Sequence, residues 1–97
     1  MAKLLGRILR IEGRVQGVGF RYFTRDAARN SGVSGFVCNK NDGSVYVEAY
    51  GESVKLDDFI TYITEKGRCG VVLNVTVETV SFDPKYTDFE IKQDYEY

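Results

Sequence analysis

Residues 13–21 read GRVQGVGFR, and this stretch decides the fold because it joins a strand-like pattern to a helix-like one. Three glycines are interspersed with apolar side chains, and Arg21 closes the run. A glycine-rich turn that enters a helix directs several backbone N–H groups at one point, where the helix dipole adds positive potential. The planar, permanently charged guanidinium of Arg21 suits phosphate oxygens. The stretch therefore predicts a cradle for an anion, and a phosphoryl group fits it best.

The segments on either side of this stretch predict a strand before it and a helix after it. Residues 7–13 alternate, with Leu9 and Ile11 on one face and charged side chains on the other, which indicates a half-buried strand. Residues 21–31 place apolar side chains on one face at helical spacing, and Gly32 is expected to end that helix.

A hairpin is predicted next along the chain. Residues 35–40 and 44–50 have strand patterns, and Asn41-Asp42-Gly43 between them is a strong turn signal because Asp-Gly tolerates positive φ. Val45, Val47 and Ala49 share one face of the second strand. Its other face carries Tyr46, Glu48 and Tyr50.

The second half of the chain predicts one more helix and two more strands. Ser53 is the expected N-cap of a helix that ends at Gly67. The apolar stripe of this helix is formed by Leu56, Phe59, Ile60 and Ile63. Residues 71–80 alternate again, and 88–92 form a short last strand. The inward face of the 71–80 strand is expected to hold Leu73, Val75 and Val77.

The element order predicts an α+β fold, a ferredoxin-like βαββαβ sandwich with an extra C-terminal strand. Each strand has one apolar face, so two helices can cover one side of an antiparallel sheet while the other side meets water. We expect the strand order 4-1-3-2 with the last strand on an edge, and a single domain over residues 1–97.

Composition limits the classes of function. The chain has 97 residues and a net charge of −1, which argues against binding nucleic acid or a membrane surface through bulk charge. It has no histidine, which excludes Ser-His-Asp and Cys-His catalysis and any His-ligated metal. No targeting signal is evident, so a cytoplasmic location is expected, with Cys38 and Cys69 as free thiols.

Two stretches resemble the signatures of the acylphosphatase family. The first is residues 13–21, and the second is residues 35–51, GFVCNKNDGSVYVEAYG. The resemblance extends along nearly the whole chain in length, element order and the terminal Phe89-x-Ile91 strand. It implies a small α/β sandwich that hydrolyses acyl phosphates to a carboxylate and inorganic phosphate, with no metal and no cofactor.

The resemblance also implies roles for particular residues. The family's phosphate-binding arginine matches Arg21, and its water-positioning asparagine matches Asn39. Cys38 should face away from Asn39, because neighbouring strand residues point to opposite faces. The substrate is expected to be a small acyl phosphate, and the protein a monomer. The family's cradle of backbone amides matches Val15, Gln16, Gly17, Val18, Gly19 and Phe20.

Alternatives stay open for the function and for two side chains. A βαββαβ sheet with exposed aromatics such as Tyr46 and Tyr50 resembles RNA-recognition domains, so a nucleic-acid-binding module is one alternative. A non-catalytic phosphoryl-binding module is another. The Gln16 side chain has two interpretations, structuring the loop or contacting the substrate. Thr24 is expected either to hydrogen-bond near Arg21 or to have a role on the helix itself.

Overall fold

The computed structural model describes residues 3–66 and 70–93. Two helices and five strands make up this part of the chain, and a π-helical turn, Tyr62–Lys66, extends the second helix. In chain order the elements are β1 (Leu4–Arg14), α1 (Phe20–Ser31), β2 (Ser34–Asn39), β3 (Val45–Glu52), α2 (Ser53–Thr61), β4 (Val71–Val80) and β5 (Phe89–Ile91).

The five strands form one sheet in the order β4-β1-β3-β2-β5. All neighbours are antiparallel except β2 and β5, which run parallel. The predicted order is confirmed, including the last strand on an edge. The architecture is the predicted ferredoxin-like fold, and both helices contribute to a single apolar core on one face of the sheet.

The central strands bury the faces that their alternation predicts. Leu9 and Ile11 of β1 are fully buried, and Leu9 lies opposite Val47 of β3. Leu56 and Phe59 of α2, and Ile63 of the π-helical turn after it, are buried against the same core. Burying a side chain of this size stabilises the fold by about 1.5–3 kcal/mol, so these residues fix the sheet that carries the loop after β1.

Strand β4 departs from the predicted alternation. Leu73 was expected to face inward, but it is 78% exposed. The cause is a β-bulge: Glu12 pairs with Asn74 while Gly13 pairs with Val72, which leaves Leu73 as the extra residue. Val72 then packs against the core in its place. Val77 keeps its predicted face, because it pairs with the buried Leu9, but it lies on an edge strand and is 46% exposed.

The ends of α2 also differ from expectation. Ser53 is not the N-cap but the first helical residue, and Glu52 occupies the cap in an extended conformation without a side-chain hydrogen bond. The Ser53 N–H donates to the Lys3 carbonyl oxygen at 2.9 Å. The α-helix ends at Thr61 and continues as the π-helical turn. The expected end at Gly67, like Cys69, lies outside the described residues.

The second face of the sheet was predicted to meet water, but the connection between β4 and β5 packs on the part formed by β2 and β3. Tyr50 stacks on Tyr86 at 5.1 Å between ring centroids and meets Phe82 edge-on. Tyr50 and Phe36 are both buried. Burial raises the pKa of the Tyr50 hydroxyl, and its hydrogen bond to Glu48 adds to the shift. Of the two tyrosines that suggested a nucleic-acid platform, Tyr50 is therefore packed inside the protein, and Tyr46 is half-buried.

Candidate active site

Topology brings three parts of the chain to one edge of the sheet. Strands β1 and β2 both run antiparallel to β3, so they are parallel to each other. Their carboxyl ends, Arg14 and Asn39, therefore lie at the same edge. Helix α1 follows β1 and connects it to β2, so the start of α1 at Phe20 lies at this edge as well.

The loop between β1 and α1 has a backbone conformation that favours glycine at two positions. Gly17 has a φ of 74° and Gly19 a φ of 81°, both in the left-handed region. A Cβ added at either position would meet no atom within 4 Å. Glycine is thus required here for the backbone conformation and not for lack of room, and open space remains beside the loop.

The start of α1 presents backbone donors beside that space. Gly19 is the N-cap and provides no side-chain cap, and the first intrahelical bond runs from the Phe23 N–H to the Gly19 carbonyl at 3.1 Å. The amides of Phe20, Arg21 and Tyr22 precede that bond, so the helix's own carbonyls do not use them. Together with the positive end of the helix dipole, they favour an anion at this point.

A cavity of about 170 Å³ opens at this position. Arg21 and Asn39 both line it, although they are distant in sequence, and no carboxylate lies among its lining residues. The loop and the helix start contribute Val15, Gly17, Gly19, Phe20 and Tyr22. The structure thus brings six of the eight predicted site residues together around one space with a single positive side chain.

Gln16 and Val18, the other two predicted residues, do not line the cavity. The Gln16 Nε2 donates to the carbonyl oxygens of Lys40 and Ser44, each at 2.8 Å. These bonds tie the loop to the β2–β3 hairpin that carries Asn39. The geometry matches the loop-structuring interpretation of the Gln16 side chain.

The hairpin is held by its predicted turn. The Ser44 N–H and hydroxyl both donate to Asp42 Oδ1, at 2.9 and 2.6 Å, and the Lys40 N–H donates to the Ser44 carbonyl. Arg10 pairs with the same carboxylate. The Ser44 hydroxyl and N–H, with Arg10, hold the pKa of Asp42 well below its usual range. The turn thereby fixes the end of β2, where Asn39 lies.

Asn39 lies on the helix-facing side of the sheet, where it pairs with Val45 and follows the core residue Val37 by two positions. Cys38 pairs with Tyr46 on the other face, so the prediction that it points away from Asn39 agrees with the register. Among the described residues, two buried side-chain oxygens have no hydrogen-bond partner, Asn39 Oδ1 and Thr24 Oγ1. A buried amide with an unused acceptor is suited to bind water.

Tyr22 is the cavity residue that sequence reasoning missed. The resemblance assigned the amides of residues 15–20 and the Arg21 side chain, whereas the cavity extends one residue further into the first turn of α1. Its signal in the sequence is its position directly after Arg21, because the first-turn amides of a helix face a ligand at its N-terminus.

Two further properties concern metals and membranes. Within residues 3–66 and 70–93, no three His, Cys, Asp or Glu side chains are grouped as metal ligands. In that same part of the chain, neither helix combines the length and the apolar character needed to span a bilayer.

The chain matches known proteins over most of its length. A family model described as Acylphosphatase matches residues 7–91. The acylphosphatase of Thermotoga petrophila is 46% identical over 84 residues, which cover 87% of this chain and 92% of that protein. The crystal structure of acylphosphatase from Bacillus subtilis has a TM-score of 0.83 at 32% identity and covers 93% of this chain and 99% of its own.

A longer protein shares the fold as well. The crystal structure of full-length HypF in the phosphate- and nucleotide-bound form has a TM-score of 0.85 at 31% identity, covering 97% of this chain and 12% of that one. The curated relative from Thermotoga, by contrast, is matched over nearly its whole length. Similarity of this extent shows that the chain belongs to the acylphosphatase family of enzymes.

Proposed function

We propose that this chain hydrolyses small acyl phosphates in the cavity between the β1–α1 loop and Asn39. The observation that carries the proposal is the shared lining of one space by the glycine loop, Arg21 and Asn39. The phosphoryl group sits against the loop amides, and the Arg21 guanidinium binds its oxygens. Backbone donors and one fixed cation are the groups that stabilise charge on a transferring phosphoryl group.

The leaving group explains why few other side chains are needed. An acyl phosphate releases a carboxylate, which has a low pKa and departs with its bonding electron pair without being protonated. Catalysis then depends on holding the phosphorus in line with the nucleophile and on stabilising the charge of its oxygens. Arg21 and the amides of residues 15–20 provide both functions.

Asn39 positions the attacking water. Its amide both donates and accepts hydrogen bonds, so it can fix the direction from which a water oxygen approaches phosphorus. As the new O–P bond forms, the bond from phosphorus to the acyl oxygen breaks. The water proton passes to a phosphate oxygen of the substrate, because an asparagine amide does not act as a base at neutral pH.

Phosphate release from benzoyl phosphate, with a chelator present, tests this function. Arg21→Ala should lower kcat/KM by about a hundredfold or more, since it removes both a donor and the charge that face the developing oxyanion. Arg29→Ala is the matched control, because Arg29 is in the last turn of the same helix, does not line the cavity, and pairs with Asp88 at 3.2 Å. Equal activity of the two variants would refute the role of Arg21.

Asn39→Ala separates the two steps of the proposal. It should lose most of kcat while inorganic phosphate still inhibits it, because the cradle is intact and only the water is no longer held. For the wild type, activity should be flat between about pH 5.5 and 8, since no side chain assigned to the reaction belongs to a residue type with a reference pKa in that range. Full activity of Asn39→Ala, or a bell-shaped profile in this range, would contradict the mechanism.

A further inference from the structure

The size of the cavity determines where the acyl part of the substrate lies. At about 170 Å³ it is smaller than the roughly 300–1,000 Å³ of pockets that enclose a drug-sized ligand. The cavity is lined by the glycine loop and by Arg21, which suit the phosphoryl group. The acyl group of a bound substrate must therefore extend outward and contact the rim.

One exposed aromatic side chain borders the cavity. Tyr22 lines it and is 57% exposed. The Tyr22 ring does not belong to the apolar core. Exposed apolar surface next to a polar binding site is typical of a surface that receives the apolar part of a ligand.

The charge beside Tyr22 is compensated. The Arg25 guanidinium lies over the Tyr22 ring, 5.3 Å from its centroid, and also pairs with Asp26. This cation–π contact restrains one face of the ring, and the ion pair cancels the charge that would otherwise attract an anionic acyl group. The Tyr22 side of the rim thus presents an ordered aromatic surface of little net charge.

We propose that Tyr22 forms an acyl-group subsite that selects uncharged, apolar and preferably aromatic acyl phosphates. This inference rests on the proposed function and adds its substrate class. The aromatic ring of the substrate contacts Tyr22 while the phosphoryl group occupies the cavity. Small acyl groups leave the ring uncovered, and an added carboxylate must be desolvated beside it.

Three substrates test the subsite: benzoyl, acetyl and para-carboxybenzoyl phosphate. The ratio of kcat/KM for benzoyl over acetyl phosphate is compared between variants, so that the intrinsic reactivity of each substrate cancels. Tyr22→Ala should lower this ratio about fivefold, as expected for losing one aromatic contact, and Tyr22→Phe should keep it. Wild type should prefer benzoyl to para-carboxybenzoyl phosphate, which differs only in the added charge.

Tyr62→Ala is the matched control, because Tyr62 is another exposed tyrosine and lines a different groove. It should leave the ratio unchanged. An unchanged ratio in Tyr22→Ala, with hydrolysis retained, would overturn the subsite alone. If the wild type hydrolysed none of the three substrates, the proposed function would be overturned, and the subsite with it.

Discussion

Replacing Gln16 by Met should destabilise the protein and weaken catalysis, although the Gln16 side chain does not line the cavity. Methionine keeps the length of the side chain and removes the Nε2 donor. That donor makes two hydrogen bonds of 2.8 Å, to the carbonyl oxygens of Lys40 and Ser44. The substitution therefore cuts the link between the β1–α1 loop and the hairpin of Asn39 without adding a charge or a large cavity.

The size of the effect follows from what the two carbonyls retain. The Ser44 carbonyl still accepts from the Lys40 N–H at 2.9 Å, and the Lys40 carbonyl still accepts from the Gly43 N–H at 3.2 Å. Neither oxygen is left without a partner, so the desolvation penalty of an orphaned acceptor does not apply. Each lost bond then costs near the lower end of its usual range, and together they cost about 1–2 kcal/mol.

Urea unfolding measures this loss, and hydrolysis of benzoyl phosphate measures its effect on the site. Gln93→Met is the matched control, since Gln93 is the exposed glutamine after β5 and should tolerate the same change. We expect kcat/KM of Gln16→Met to fall as the loop and Asn39 lose their fixed relation, because small misplacements of reacting groups are costly. Full activity with a stability loss below about 0.5 kcal/mol would refute this reasoning.

Three further predictions concern stability. The lowered pKa of Asp42, caused by Ser44 and Arg10, gives stability that is present above the unfolded pKa of about 3.9 and lost as pH falls below it. In Asp42→Asn, the free energy of unfolding, followed by circular dichroism, should therefore fall less steeply with decreasing pH than in the wild type. An equally steep fall in the two proteins would contradict this. Thr24→Val replaces a buried hydroxyl that has no described partner, so it should raise the free energy of unfolding by about 1 kcal/mol; a loss would show that the hydroxyl is used. Gly19→Ala has open space but a φ of 81°, so it should cost about 1–2 kcal/mol and weaken inhibition by phosphate; wild-type stability in urea would exclude this.

The sequence predicts the strands and the core because their signal is local. In β1 and β3 the side-chain period of two separates a buried face from a polar or aromatic one, and the structure keeps that separation. The bulge at Leu73 escapes prediction because it arises from pairing with Glu12 and Gly13, which lie some sixty residues earlier. No pattern within β4 alone shows which residue of the strand is the extra one.

The covering of the second sheet face is equally non-local. Phe82 and Tyr86 lie in a connection without helical or strand periodicity, so their contacts with Tyr50 cannot be derived from spacing. The alternation of β3 correctly places Tyr50 on the face away from the helices. What packs on that face depends on where the chain returns from β4 to β5.

The candidate site likewise has one part that local sequence predicts and another that depends on contacts between distant segments. The loop and Arg21 are contiguous in sequence, so their glycines and the start of the helix predict an anion cradle directly. Asn39 was assigned only through the family resemblance, because its approach to the loop depends on sheet order and on the bonds of Gln16. Tyr22 was missed because the assignment stopped at Arg21, although the next residue of the first helical turn also lines the cavity.

Sheet order also explains why a cavity exists between these parts. Strand β3 lies between β1 and β2, so the ends of β1 and β2 are two strand spacings apart, roughly 9.5 Å. The chain leaving β1 must cross the end of β3 before α1 can pack over the sheet, and the glycine loop makes this crossing. A phosphoryl group placed there meets amides from the crossing segment on one side and Asn39 of β2 on the other. A fold that paired β1 directly with β2 would close this gap, so the split arrangement itself provides the room in which the reaction is proposed to occur.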